Sequence, residues 1–138
     1  MPARDFYHNN AKNALTKDGW TITHDPLRIQ WGSKDMYVDL GAEQILAAEK
    51  GETKIAVEIK SFLGKSEVFE LEHALGQFIF YHDLMEQTHP GRTLYMAITN
   101  ETMQAIFQEP IGKILLENKR VRLIVFDPKS EVILQWIP

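Results

Sequence analysis

The chain has 138 residues, 44% hydrophobic and 25% charged, with a formal net charge of −4 and no cysteine. That length suits one compact domain with a sizeable core, and the acidic balance argues against tight, non-specific nucleic-acid binding by the isolated chain, so any DNA contact needs local basic patches, a metal ion or a partner. Disulfides and thiolate metal sites are excluded, which fits a cytoplasmic protein.

No apolar run approaches the ~20 residues needed to span a bilayer. Met1 to Asp5 lacks the apolar core of a secretory signal, so no membrane association is expected. Repeats, low-complexity tracts and linkers are absent, and residues 1–138 read as a single domain.

The chain opens on a predicted helix over Arg4 to Asp18, with Tyr7, Ala11, Ala14 and Leu15 on one stripe and Gly19 placed to end it. His8 falls early on this helix. Trp20 to Thr23 alternates as a strand, and His24-Asp25-Pro26 bends the chain. Leu27, Ile29 and Trp31 alternate again before the turn signal Gly32-Ser33-Lys34, and Tyr37 to Leu40 reads as extended. Ile45 to Lys50 is compatible with a strand or a short helix. Glu49 to Thr53 forms a tight connection around Gly51, which predicts a hairpin into the next strand.

That strand, Lys54 to Lys60, is the clearest in the sequence. Ile55, Val57 and Ile59 share one face, and Ala56, Glu58 and Lys60 share the other. Ser66 is placed to cap a helix running to about Gln87, with Glu67 and Glu70 near its positive end. Leu71, Leu75, Phe78, Ile79 and Leu84 are its expected core face. Thr93 to Ile98 is a buried strand by composition. Asn100 is placed to cap a helix to about Gln108, and Pro110 to begin another ending near Asn118. Val121 to Phe126 and Glu131 to Ile137 form a terminal hairpin about Asp127 to Ser130. The predicted class is α/β with a mixed sheet, in the order α-β-β-β-α-β, followed by a helix and a β-hairpin.

An upstream acid with Glu-x-Lys on one strand face suits a Mg²⁺ or Mn²⁺ site for phosphodiester hydrolysis. Mg²⁺ prefers oxygen ligands and keeps several waters, so two carboxylates and a backbone carbonyl suffice to hold it. Such an ion activates water and stabilises charge on the phosphorus oxygens. Asp39, Glu58 and the Ile59 carbonyl are the expected ligands. Neighbouring carboxylates favour the charged form of a lysine. Lys60 is therefore read as a cation that orients the attacking water and steadies the pentavalent oxyanion, in preference to a base.

Asp39 with Glu58-Ile59-Lys60 looks like the PD-(D/E)xK nuclease core, whose restriction-endonuclease-like fold has the order αβββαβ. Gln77 to Tyr81 resembles the Q-x-x-x-Y motif of its RecB-like branch, and a helix puts Gln77 and Tyr81 one turn apart on one side. The resemblance implies that these two touch DNA or brace the site, and it gives His8 a contact to the same place. Asp39-Leu40-Gly41-Ala42-Glu43, Ala47 to Lys50, Ile55 to Phe62 and Ala74 to Gln77 read closer still to the cyanobacterial XisH proteins. Gly19 to Thr23 and Gln135-Trp136 agree, so the similarity spans nearly the whole chain. It implies a controlling factor for excision of the fdxN element, a DNA segment removed during heterocyst differentiation. In that system a separate site-specific recombinase cuts and joins the DNA, and the factor acts with a companion, XisI.

Val38 stands where the nuclease motif has proline. A hairpin centred near Gly51 pairs Lys60 with about Glu43. Asp39 is then displaced by over ~10 Å at ~3.4 Å per residue, unless a bulge or curvature intervenes. Glu43 is thus the rival first carboxylate.

Plainer readings stand beside these. Most Glu-x-Lys strings are exposed strand faces, Gln77 and Tyr81 alone are ordinary helix polars, and His8 alone is a surface or packing histidine. His73 continues the Gln77 and Tyr81 stripe but reads as incidental, and His82 and His89 have no spacing that argues for a metal. Lys50, Lys54 and Lys65 form either a phosphate-facing fringe or scattered surface charge, and Arg120 and Arg122 share one strand face, with a local salt bridge as their plainer reading. A catalytically inactive assembly protein working through XisI and the recombinase is the rival to a nuclease. Half of a toxin–antitoxin-like pair is a third reading. The terminal hairpin is expected inside its own domain, with pairing to another subunit through an edge as the alternative.

Overall fold

The structure is a computed structural model that describes residues 6–27, 30–31, 36–37 and 45–138. Helix α1 (His8–Lys17) leads into β1 (Thr21–His24). Two short strands, β2 (Gln30–Trp31) and β3 (Met36–Tyr37), pair antiparallel as a separate ribbon, and the turn signal at 32–34 lies outside the described residues. The hairpin β4 (Ile45–Lys50) and β5 (Thr53–Ile59) follows, then α2 (Glu67–Thr88) and β6 (Arg92–Thr99). Helix α3 (Asn100–Thr102) runs into a π-helical stretch (Met103–Phe107), and α4 (Pro110–Glu117) precedes the final hairpin of β7 (Leu123–Asp127) and β8 (Val132–Ile137). The fold is mixed α/β.

Six strands form one sheet in the order β1-β4-β5-β6-β7-β8. The central trio β5, β6 and β7 is parallel, and the outer pairings are antiparallel. Parallel strands need a covered crossover, so they occupy the middle and are buried on both faces. Ile55 to Ile59 accordingly have no face in water. Segment 45–50 resolves as a strand because Gly51, at φ 61°, closes the tight turn to β5. The ladder runs from Lys50↔Thr53 to Ile45↔Glu58, the register of a hairpin centred near Gly51.

The sheet separates two cores. On one side Ile55, Val57, Ile59, Ala97 and Phe126 pack against Ala11, Ala14 and Leu15 of α1. On the other, Ala56, Leu94, Met96 and Ile98 pack against Leu71, Ala74, Phe78, Tyr81, Leu84 and Met85 of α2, with Ile106 and Phe107 completing the layer. This rotates α2 from the expected face. Ile79 is 45% exposed and Leu75 only half-buried, while Ala74, Tyr81 and Met85 are buried. Ala74 lets the helix axis approach the sheet, and the stripe 74-78-81-85 follows from that approach.

Local signals are honoured elsewhere. Ser66 caps α2, its Oγ accepting from the Phe69 N–H at 3.2 Å. Pro110 takes the first turn of α4. The cap of the helix after β6 is Thr99 and not Asn100: Thr99 Oγ1 accepts from the Thr102 N–H at 3.2 Å. Arg92 clamps the β4–β5 hairpin to β6, donating to the carbonyls of Ala48 and Ile55 and to Glu49. β8 lies within its own sheet as an edge strand, with Trp136 packed against Trp20 and Tyr95. Both edge strands are irregular, with register shifts between Ile22 and His24 on β1 and opposite Val125/Phe126 on β8. Such bulges blunt an edge.

Candidate functional site

Glu58 is 0% exposed and Lys60 7%. They occupy the α2-facing side of β5, since Ala56 on the same alternation belongs to the α2 core and Ile55, Val57 and Ile59 to the α1 core. The exposed-strand reading of Glu-x-Lys therefore fails on burial. Taking charges out of water costs several kcal/mol per ion, so their neighbours matter. Lys60 Nζ lies 3.6 Å from Glu58 Oε1 and donates a hydrogen bond to Gln77 Oε1. Gln77 Nε2 in turn donates to Tyr81 Oη at 3.2 Å, and Tyr81 is 2% exposed. One turn of α2 thus presents Gln77 to the lysine and fixes Gln77 from behind.

The backbone supplies the rest of the placement. Lys60 N–H donates to Ala97 O at 3.0 Å, extending the β5–β6 pairing one residue past the strand. Beyond the carboxyl ends of β5 and β6 opens a cleft of about 260 Å³, lined by Ser61, Phe62, Lys65, Glu67, Thr99 and Thr102 among others. Open α/β sheets place ligands at the carboxyl ends of parallel strands. Phe62 has φ 55°, a left-handed conformation rare for an aromatic residue, where the chain turns out of the sheet toward α2.

The structure brings together Glu58, Lys60, Gln77 and Tyr81. Asp39 and Glu43 lie outside the described residues, and among the described residues no group of three or more His, Cys, Asp or Glu is arranged to hold a metal. Glu58 offers carboxylate oxygens, a donor suited to a hard cation such as Mg²⁺. His8 is buried on α1, across the sheet from Glu58. Its Nε2 lies 2.9 Å from Asp25 Oδ1, and Lys12 Nζ lies 2.8 Å from Asp25 Oδ2. Burial pushes the Asp25 carboxyl up, but the hydrogen bonds and charges of Lys12 and His8 outweigh it and hold the group below the usual carboxylate range. The Asp25-Pro26 signal reads only as a bend in sequence, so this triad had no local signature.

Of the other residues considered, Lys50 donates to Asp18 O at 2.7 Å, and Lys54 lies 4.0 Å from Glu49. Lys65 lines the cleft. His73 stacks on Phe69, and His82 neighbours Asp83 and Glu86. His89 is held below its usual range by burial and by Arg92 and His24.

A sheet covered on both faces, with a charged pair enclosed at the end of a parallel strand and a helix turn reaching down to it, places the chain among mixed α/β proteins carrying a polar centre inside the fold. Comparison with known proteins gives the family. The XisH protein family matches residues 1–134, and the chain belongs to the XisH family. Two crystal structures are similar over almost the whole length. An XisH family protein from Nostoc punctiforme PCC 73102 is 40% identical, covering 97% of this chain and 100% of its own, with a TM-score of 0.87. An fdxN element excision controlling factor protein from Anabaena variabilis is 41% identical, covering 96% and 98%, with a TM-score of 0.86. No curated protein matches the chain.

Proposed function

We propose that this protein is a cytoplasmic controlling factor for programmed excision of a DNA element, the fdxN element or one like it, and that it carries a metal-dependent phosphodiester site at Glu58 and Lys60. The likeness to the Anabaena variabilis excision factor supports the first part. The carrying observation for the second is the convergence of Glu58, Lys60, Gln77 and Tyr81, which a set of unrelated surface polars would not show.

In this reading Glu58, the Ile59 carbonyl and an acid from the preceding segment (Asp39, or Glu43 in its place) hold Mg²⁺ or Mn²⁺. When bound, the ion supplies an activated water and charge stabilisation at phosphorus. Lys60, held by Gln77, is aimed at the charge that develops on the phosphoryl oxygens. Gln77 keeps the ammonium from swinging onto Glu58 alone, and Tyr81 fixes the Gln77 amide. DNA is the substrate, with an XisI-like companion and a site-specific recombinase as partners.

The second reading is a catalytically inactive nuclease-fold assembly protein that works through XisI and the recombinase. One observation favours it: Glu58 has no exposed surface and faces Lys60 at 3.6 Å, a contact that holds both charges without a ligand. Nicking of supercoiled plasmid in Mg²⁺ or Mn²⁺, with and without companion, separates the two. Under the first reading, wild type nicks while Glu58→Gln and Lys60→Ala do not, provided their melting curves show folded protein. Absence of nicking by wild type in every metal and partner combination, with excision still dependent on the protein, establishes the second.

A further inference from the structure

We infer that the groove between α2 and segment 119–122 is a second anion site, one that takes the phosphodiester backbone of nucleic acid. The groove encloses about 230 Å³ and is lined by Phe78, Ile79 and His82 of α2 and by Lys119, Arg120, Val121 and Arg122. Three of those seven residues carry full positive charge, and no carboxylate is among them. A chain of formal charge −4 concentrates three cations in four residues at this one place.

Their state matters as much as their number. Among the described residues, no hydrogen bond or ion pair engages the side chains of Lys119, Arg120 or Arg122, so the local salt-bridge reading of the two arginines does not apply. Arg92, by contrast, is consumed by Glu49 and two carbonyls. Lys119 and Arg120 are exposed and Arg122 half-buried, which leaves the guanidinium forks and the ammonium open to an incoming group. Arginine forks match phosphate oxygens bidentately, and duplex DNA, with one charge per ~1.7 Å of axis, is the ligand with the charge density to meet three cations in so small a groove. Ile79, 45% exposed, borders the groove outside the core and offers an apolar wall of the size of a sugar face.

The groove also has a defined place relative to the buried site. At ~100° per residue, Ile79 and His82 point roughly 140° to 200° around α2 from Gln77. The groove and the Lys60–Gln77 cluster therefore occupy opposite flanks of one helix. The inference rests on the DNA-acting reading above and adds to it: the nucleic acid is gripped on the flank away from the Glu58 site, by contacts that position it without reading sequence.

The test uses fluorescence anisotropy of a labelled duplex across a range of salt, comparing wild type, a Lys119→Ser/Arg120→Ser/Arg122→Ser triple variant, and Lys129→Ser as a control on an exposed turn. The triple variant is expected to bind every sequence more weakly. Its plot of log affinity against log salt should be shallower by about 0.9 for each phosphate that the variant leaves without a cation, with the control unchanged. Melting curves check that the variant is folded. Unchanged affinity and salt slope in a folded triple variant overturn the inference, as does selective loss of an acidic protein partner with DNA binding intact. The two proposals fail separately. Nicking lost in Glu58→Gln but untouched in the triple variant leaves the catalytic reading and removes this one; loss of DNA binding in the triple variant, with no nicking by wild type, does the reverse.

Discussion

At the residue scale, charges inside this protein survive only where the fold supplies partners. Lys60 has Gln77 and Glu58; Asp25 has His8 and Lys12. Asp25 yields a pH prediction. Its carboxyl is held below its ordinary value in the folded chain, so the unfolded chain takes up the proton first on acidification. The stability it contributes is complete above about pH 4, the unfolded value, and is lost as pH falls through the lower folded value. Urea midpoints of wild type should therefore drop across that acid range, and Asp25→Asn should be less stable near neutrality with a flatter acid limb. Parallel acid limbs in the two proteins would show that the Asp25 contacts contribute nothing. The site residues divide the same way. The Glu58 and Lys60 pairing was legible because alternation puts them on one strand face; the burial of that face was not, because burial depends on α2 arriving from elsewhere in the chain.

At the scale of elements, two glycines make opposite predictions. A Cβ on Gly112 of α4 would lie 2.3 Å from Ile106 O and 2.5 Å from Phe107 Cα, backbone atoms that cannot turn aside. Gly112→Ala should cost about 1 to 3 kcal/mol, as overpacking does. Gly76, in the middle of α2, has nothing within 4 Å of such a Cβ. Replacing it with alanine should stabilise the isolated chain by roughly 0.5 to 1 kcal/mol, the helix-propensity difference. Chemical denaturation of both variants checks the pair, and a Gly76→Ala variant that is no more stable would mean that α2 is not helical through this turn in solution. These elements also show where sequence reasoning stops. Ser66 and Pro110 announce helix starts because capping and ring geometry act within one turn. The π-helical stretch after α3 had no such sign; Gln108 N–H reaches back to Met103 O, beside the close approach of Gly112.

At the scale of the whole molecule, the sheet is closed to water in its parallel centre and open at two bulged edges. Among the described residues no helix is long and apolar enough to cross a membrane. β8 shows Val132 and Leu134, 38% and 54% exposed, on one edge strand. Leu134 faces solvent at the irregular point of the β7–β8 ladder. Leu134→Lys is thus expected to change stability by no more than about 0.5 kcal/mol, in the range of surface substitutions, and to suppress association at high concentration, since charge on an edge opposes strand pairing. Thermal melts and light scattering test both points. A loss well beyond that range would show that a second subunit covers the edge. Charge is equally uneven over the surface: a net-acidic chain still exposes the Lys119-Arg120-Arg122 groove, which the overall charge conceals.

The amino-acid sequence by itself determined the central strand β5, the hairpin turn about Gly51, the capped start of α2 and the family wording around Glu58 and Lys60, because these depend on neighbours within a turn or a pleat. Tertiary structure alone decided which side of α2 is buried, leaving Ile79 outside, that Gln77 meets Lys60, and that His8 answers to Asp25 across the sheet from Glu58. Those outcomes depend on which distant segments meet, and the packing of a helix on a sheet is chosen by the fit of both surfaces, of which the local sequence describes only one.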